Sequence, residues 1–309
     1  MRAFILDVKG SKEIEVEEGF SPSGKRIWID VEEPHNRDLA FLSKSFGFHP
    51  LSLEDCTDPK ERWKLEEHGE YLFCIVRSLE SDFQSDLMGM FLSKEYLITI
   101  HDRGFVQLEK VREAVRKGTI VDPDFLFYVI VDAIVDSYFV LLDQIETVID
   151  KLEESIILSP KRETLNELFD TKKKLLLLRK TIWPSREVAW KLYYEKNKFI
   201  SRKTTYYFRD IHDHVMQAID IIDTYRDVVA VGMDMYLSSV SNALNEVMKA
   251  LTVITALVIV PTMIAGIYGM NFRYMPEIYW RFGYPFALAL MLSAVLTMIY
   301  YFRKKGWWK

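Results

Sequence analysis

Two uncharged stretches near the end of this chain decide what it can fold into. No Asp, Glu, Lys or Arg occurs from Ala250 through Phe272, and none from Phe282 through Phe302; the runs are 23 and 21 residues long. About 20 apolar residues in an α-helix cross a hydrocarbon core of roughly 30 Å. The sequence therefore predicts a transmembrane hairpin with a large soluble body before it. A hairpin buried in a soluble core is the competing reading, but soluble cores rarely hold two uncharged runs of this length. Average composition hides the pattern. A net charge of -5 and 49% hydrophobic content would describe an ordinary globular protein, because a charged body (Met1 to Lys249) is averaged with an apolar tail.

Orientation follows from the positive charges. Arg303, Lys304, Lys305 and Lys309 follow the second run and Lys249 precedes the first, while the loop between carries Arg273, Glu277 and Arg281. The denser basic cluster marks the cytoplasmic side, and two spans place both termini there, in the plasma (inner) membrane. Tyr268, Tyr274, Tyr279, Trp280 and Tyr284 crowd one boundary and Tyr300, Tyr301, Trp307 and Trp308 the other, as interfacial aromatic belts do. The N-terminus has no run apolar enough for a signal peptide. Cys56 and Cys74 are the two cysteines, too few for a disulfide framework and suited to a reducing compartment.

Residues 1–118 read as a cytoplasmic α/β domain. Strands are expected at Met1 to Val8, Arg26 to Val31, Tyr71 to Leu79 and Leu87 to His101, and a helix from Glu33 to Phe46 with Pro34 near its start. Gly10, Gly19 and Gly24 are scattered and form no phosphate-cradling loop. Residues 119–204 read as a cytoplasmic helical hairpin: Phe125 to Ile157, a break at Ser159-Pro160, then Glu163 to Ile182 up to Pro184. Glu146, Glu153, Glu154, Glu163 and Glu167 make this region acidic, as a solvated face or as a loose store for cations.

A stalk helix is expected over 205–249. It passes directly into a pore-lining span over 250–268, followed by an outer loop (269–281), a second span (282–302) and a basic tail (303–309). No proline falls between Pro184 and Pro261, so one helix can run from Tyr206 to Gly266, on the order of 90 Å. Along it Asp234, Ser238, Ser241, Asn245, Met248, Thr252, Thr255, Ile259, Thr262 and Gly266 fall on one stripe, with the period of a supercoiled seam, about 3.5 residues. The stripe is mostly small and polar even inside the membrane, where polar groups need partners or water. Several copies around an axis, with this stripe lining a wet pore, satisfy it. Asp213, Asp220, Asp227 and Asp234 recur every seven residues on the same helix. Their oxygen-rich, thiol-free setting suits hard divalent ions such as Mg2+; a hydrated outer face is the bland reading of each.

Tyr268-Gly269-Met270-Asn271-Phe272, with Pro261, Thr262 and Gly266 before it and Met275-Pro276-Glu277 after it, resembles the CorA family of divalent-cation channels. The resemblance extends through Tyr236 to Asn242, Asn245 to Thr252, His49 to Asp55 and Arg179 to Pro184, and so covers essentially the whole chain. It implies a funnel-shaped homopentamer that passes Mg2+, and also Co2+ and Ni2+, inward under control of intracellular Mg2+. It assigns ion entry to Gly269, Met270 and Asn271, and pore lining and constriction to Asn245, Met248, Leu251, Ile259 and Thr262. Many members carry Met where this chain has Ile259. Asp234 matches the regulatory metal site, with Asp82 as its expected partner carboxylate. The implied partners are further copies of the chain, membrane lipid and divalent cations; no nucleic acid and no organic cofactor is expected. A zinc transporter of the same superfamily is the alternative, and a membrane-anchored sensor without transport a more distant one. An enzyme is disfavoured: His212 and His214 are two apart on a helix and point to different sides, and no His-Glu-x-x-His, Gly-x-Ser-x-Gly or P-loop pattern occurs.

Overall fold

The computed structural model describes residues 1–8, 10–15, 24–102, 105–158 and 161–307; Gly19, Ser159, Pro160, Trp308 and Lys309, used above, lie outside the described residues. The chain divides into two compact units, Met1–Ser155 with Lys161–Met233, and Ile156–Pro160 with Asp234–Lys309.

The first unit is built on a seven-stranded sheet of β1 (Arg2–Ile5), β2 (Lys12–Glu15), β3 (Ile27–Glu32), β4 (Lys64–His68), β5 (Tyr71–Leu79), β6 (Ser85–Leu92) and β7 (Tyr96–His101), in the order β2-β1-β3-β7-β6-β5-β4. Only the β3–β7 pairing is parallel. The inner strands are apolar on both faces because both are covered. Ile27, Ile29 and Val31 alternate with Trp28 and Asp30 along β3, as the two-residue period of a strand requires. The first set joins Phe73, Phe91 and Ile98 in a core that includes Leu42 of α1 (Asn36–Phe46) and Leu53 of α2 (Pro50–Asp55). On the other face α3 (Gln107–Arg116) supplies Arg112, and the long α4 (Pro123–Leu158) donates the Tyr138 hydroxyl to the Arg77 carbonyl of β5. α1 begins at His35, whose N–H is capped by Asp38 at 2.9 Å, so Pro34 precedes the helix rather than opening it. The Leu87 to His101 run is a hairpin of two strands rather than one.

Asp30 holds the second face together. It is 1% exposed and fills both carboxylate oxygens. Oδ1 accepts from Thr99 Oγ1 at 2.7 Å and lies 3.0 Å from His101 Nε2; Oδ2 accepts from Arg112 Nη2 at 2.6 Å and Nε at 3.1 Å. The parallel register sets Asp30 beside Thr99, and α3 closes over them with Arg112. Burial opposes the charge on Asp30, but the His101 and Arg112 partners outweigh it and hold its carboxyl below the ordinary 3.8. Burial likewise opposes the His101 imidazolium, and Asp30 outweighs it, raising His101 above 6.5.

The remaining helices of this unit are α5 (Arg162–Ile182), α6 (Ser185–Tyr194) and the first half of α7 (Arg202–Tyr268). α4 is apolar enough to cross a membrane by composition, but half of its most apolar window is buried inside the unit, against 6% for α7 and 11% for α8 (Gly283–Lys304). Phe127 of α4 meets Phe208 of α7 at 5.8 Å, so α4 serves as a core helix. The second unit is the rest of α7, a turn, a short 3-10 helix (Pro276–Tyr279) and α8.

Removing one member of a buried, fully bonded ion pair costs about 3–5 kcal/mol, so Asp30→Ala is expected to lower the thermal midpoint sharply. The His101 contribution is complete below 6.5 and is lost as pH rises through its raised folded value; the Asp30 contribution is complete above 3.8 and is lost as pH falls through its depressed one. Thermal melts across pH should therefore show wild type losing its margin over His101→Gln on the alkaline side.

Candidate functional site

α7 is a single helix across all the stripe positions, with Pro261 inside it. Proline lacks an N–H, so the Leu257 carbonyl has no helical donor, while the neighbouring Val258 carbonyl accepts from Thr262 Oγ1 at 2.8 Å. Every stripe residue from Asp234 to Gly266 is exposed in the single chain, as is Leu251. Exposure does not single the stripe out, because most of α7 beyond Met233 is bare; Tyr236 and Val253 are buried exceptions. Composition and bonding do. Thr252 and Thr262 return their hydroxyls to carbonyls four residues back, Met248 and Val258, each at 2.8 Å. Asn245, Thr255, Ser238 and Ser241 have no side-chain partner among the described residues. In α8, Ser293 bonds Leu290 at 2.9 Å and Thr297 bonds Ser293 at 2.7 Å. Within the span of α7, Thr255 is the threonine left without a partner among the described residues; Ser238, Ser241 and Asn245 lie on the stalk before it.

Beyond α7 the chain turns at once. Gly269 N donates to Ala265 O at 2.9 Å and Phe272 N to Met270 O at 3.0 Å. Met270 and Asn271 are exposed, and the Asn271 amide has no partner among the described residues. The loop then folds against the start of α8: a Cβ on Gly283 would lie 1.9 Å from the Glu277 carbonyl oxygen. Glycine there fixes where the loop sits.

The aspartate series divides between the units. Asp213, Asp220 and Asp227 are exposed on the first half of α7, and Asp213 and Asp220 line a shallow cavity of about 440 Å³ beside Tyr225. Asp213 is partly offset by Arg209 at 3.8 Å. Asp82 lies in the β5–β6 turn, accepting from Gln84 N at 3.0 Å. It belongs to a concentration of charge, because Asp86 is raised first by burial and then by the carboxylates of Glu80, Asp102 and Asp82.

One cluster escaped sequence reasoning. Asp132 and Asp136 of α4 and His214 of α7 bring one ligand atom each within 4.8 Å of one another. His214 Nδ1 is buried, 3.7 Å from Asp136 and without a hydrogen bond, and its Nε2 lies 3.9 Å from Asp210. Burial pushes the Asp132 carboxyl up to about 6, with Asp136 and Asp210 adding and His214 opposing. Crowded carboxylates beside an orphaned imidazole nitrogen fit a divalent cation. The signal was two pairs spaced i, i+4, Asp132/Asp136 and Asp210/His214, which put all four side chains on facing helix stripes. The histidine pair His212/His214 was the wrong pairing to consider.

The model of the "CorA-like Mg2+ transporter protein" family matches residues 23–304. The "Cobalt/magnesium transport protein CorA" of Thermotoga maritima is 41% identical over 298 residues, 93% of this chain and 85% of that protein. The complete structure of the CorA magnesium transporter from Methanocaldococcus jannaschii superposes with a TM-score of 0.87 at 27% identity, covering 100% of this chain and 99% of that one. The ZntB cytoplasmic domain from Vibrio parahaemolyticus gives a TM-score of 0.67 at 15% identity over 78% of this chain and 98% of its own. That is a likeness of fold alone, and the zinc alternative is not favoured.

Co2+ binding at the Asp132 cluster, followed by calorimetry, is expected to weaken by about tenfold or more in Asp132→Asn and His214→Gln, and to fall in wild type as pH drops through about 6 and Asp132 takes up a proton. Because the folded state disfavours the ionised Asp132, Asp132→Asn should melt higher than wild type in the absence of divalent ions at neutral pH.

Proposed function

The chain belongs to the CorA-like Mg2+ transporter family, and on that footing we propose that it forms a ring of five copies through which Mg2+, with Co2+ and Ni2+, flows into the cytoplasm. It is a transporter and not an enzyme. The observation that supports the pore reading lies within the span of α7, where Thr255 has no side-chain partner among the described residues and Pro261 leaves the Leu257 carbonyl without a helical donor, whereas Ser293 and Thr297 of α8 bond back to their own helix. Water along an axis of packed α7 helices meets those groups, and lipid does not.

In this reading Gly269, Met270 and Asn271 form the mouth. Mg2+ dehydrates reluctantly. A ring of Asn271 amide oxygens can hold its waters without stripping them, whereas a carboxylate ring would bind more tightly and release more slowly; conduction needs sites an ion can leave. Further in, Asn245, Thr252, Thr255, Thr262 and Gly266 line the path. Met248, Leu251 and Ile259 narrow it, gating by excluding water. Ile259 is branched at Cβ and stiffer at χ1 than the methionine common in relatives. Both termini face the cytoplasm in the plasma membrane.

Regulation by internal Mg2+ completes the proposal. Carboxylates gathered by the assembly, Asp234 with Asp82 and the series Asp213, Asp220 and Asp227, repel unless a cation lies among them. The Asp132–Asp136–His214 cluster is a further store of the same chemistry. Bound Mg2+ holds the closed arrangement, and loss of Mg2+ frees the constriction, because a ligand moves an equilibrium only through unequal affinity for its two states.

Mg2+ uptake into liposomes tests the mouth and the pore. Asn271→Ala should abolish uptake while the oligomer survives, and Thr255→Cys should react with aqueous thiol reagents. Uptake at the wild-type rate, or labelling of Thr255→Cys only from the lipid phase, would overturn the assignment. Limited proteolysis tests regulation: millimolar Mg2+ should protect wild type more than Asp234→Ala.

A further inference from the structure

A cavity of about 870 Å³ opens in the first unit, away from the residues assigned to ion flow and its control. Its size falls in the range of small-molecule sites, roughly 300–1,000 Å³. One wall is the chain that enters and forms β4, the edge strand of the sheet. The other is the corner between α5 and α6, and His212 of α7 also lines it.

Its charges do not cancel. Lys64 is held by Asp55 at 2.7 Å and Glu66 at 3.1 Å, and Lys191 by Glu187 at 2.7 Å. Those pairs use up both lining carboxylates. Arg62 and Arg186 are left with no carboxylate partner among the described residues. The cavity thus carries two guanidinium groups with no carboxylate partner, Arg186 lying over the Trp183 ring, and their planar forks match phosphate oxygens.

The second property is aromatic. Trp183 and Trp190 both line the cavity and are 44% and 46% exposed. Their rings are nonetheless held. Arg186 and Arg179 lie 5.2 Å and 4.8 Å from the Trp183 ring centroid, and Trp190 stacks on Tyr194 at 5.4 Å. Arg179 is tied in turn to Asp223 at 2.9 Å. Preformed, solvent-facing indoles beside unpaired guanidinium groups are the elements that stack a flat base and grip its phosphates.

We propose that this cavity binds a nucleoside polyphosphate, with Arg62 and Arg186 on the phosphates and Trp190 against the base. The site is an effector site: no P-loop or activated nucleophile adjoins it, and no hydrolysis is assigned. It stands apart from the transport reading, since neither its residues nor its ligand enter the ion path.

ATP titrated in EDTA into the purified full-length protein, followed by calorimetry and tryptophan fluorescence, tests the site. Saturable binding with a Kd at or below about 1 mM is expected. Arg62→Glu with Arg186→Glu should weaken it by about tenfold or more, the scale of one charged hydrogen bond. Arg62→Gln, at an exposed position, gives the same direction should the double variant fail to assemble. Trp190→Ala should weaken ATP while leaving inorganic tripolyphosphate unchanged. Absence of saturable ATP binding, or binding indifferent to the arginine changes, would overturn the proposal. So would acrylamide failing to quench the tryptophans of the assembled protein, since another copy would then cover the cavity. Liposome uptake of Mg2+ is read separately, so failure of either reading leaves the other intact.

Discussion

A polar group in hydrocarbon must find a partner or water, and this requirement governs the second unit. α8 meets it privately, through Ser293 and Thr297 bonding back to their own helix. α7 meets it only in part, with Thr252 and Thr262 satisfied and Thr255 not. Pro261 adds a carbonyl without a helical donor at the same level of the membrane. A neighbour or water meets both groups, and the proposed ring is one way of supplying them.

In the soluble unit the same rule acts on charge instead of dipoles. Asp30 is buried and fully bonded by Thr99, His101 and Arg112, and so stays ionised. Asp132 is pushed up to about 6 first by burial and then by the neighbouring Asp136 and Asp210, with His214 and Tyr128 opposing. Asp30, ringed by donors, ties the sheet to α3, whereas Asp132 shares its site with two further carboxylates and an imidazole that compensate it only in part.

Long periodic elements were legible from sequence: the uninterrupted α7, the α4 helix, the break near Pro184 and the hairpin of apolar runs. Short elements were not. β2, β4 and α2 carry too few residues to show a period, and they owe their form to the sheet and helices they pack on; α3 does space Leu108, Val111, Arg112 and Val115 helically, but Arg112 in the stripe breaks its apolar pattern. The helix expected from Glu33 with Pro34 near its start begins later, with His35 as its N-cap, because Asp38 accepts from the His35 N–H. The continuity of α7 through its stripe positions was legible because no proline falls between Pro184 and Pro261. The Asp132–His214 cluster was not, because four residues separated by over seventy positions gain meaning only when α4 and α7 are side by side. Arg112 was invisible for the same reason, looking like one more charge on a surface helix.

Gly283 illustrates how far a contact with no chemistry of its own can reach. With the Glu277 carbonyl where a methyl group would otherwise be, α8 dictates the return path of the inter-helix loop that also carries Asn271. Drift at this spot is therefore constrained in pairs. A bulkier residue at 283 survives only if the backbone at 277 has already moved, and one that moves it shifts the loop's return path as well. Across descendants of such a chain, positions 277 and 283 should vary together, and the number of residues between the two spans should stay nearly fixed even as the exposed side chains around them turn over.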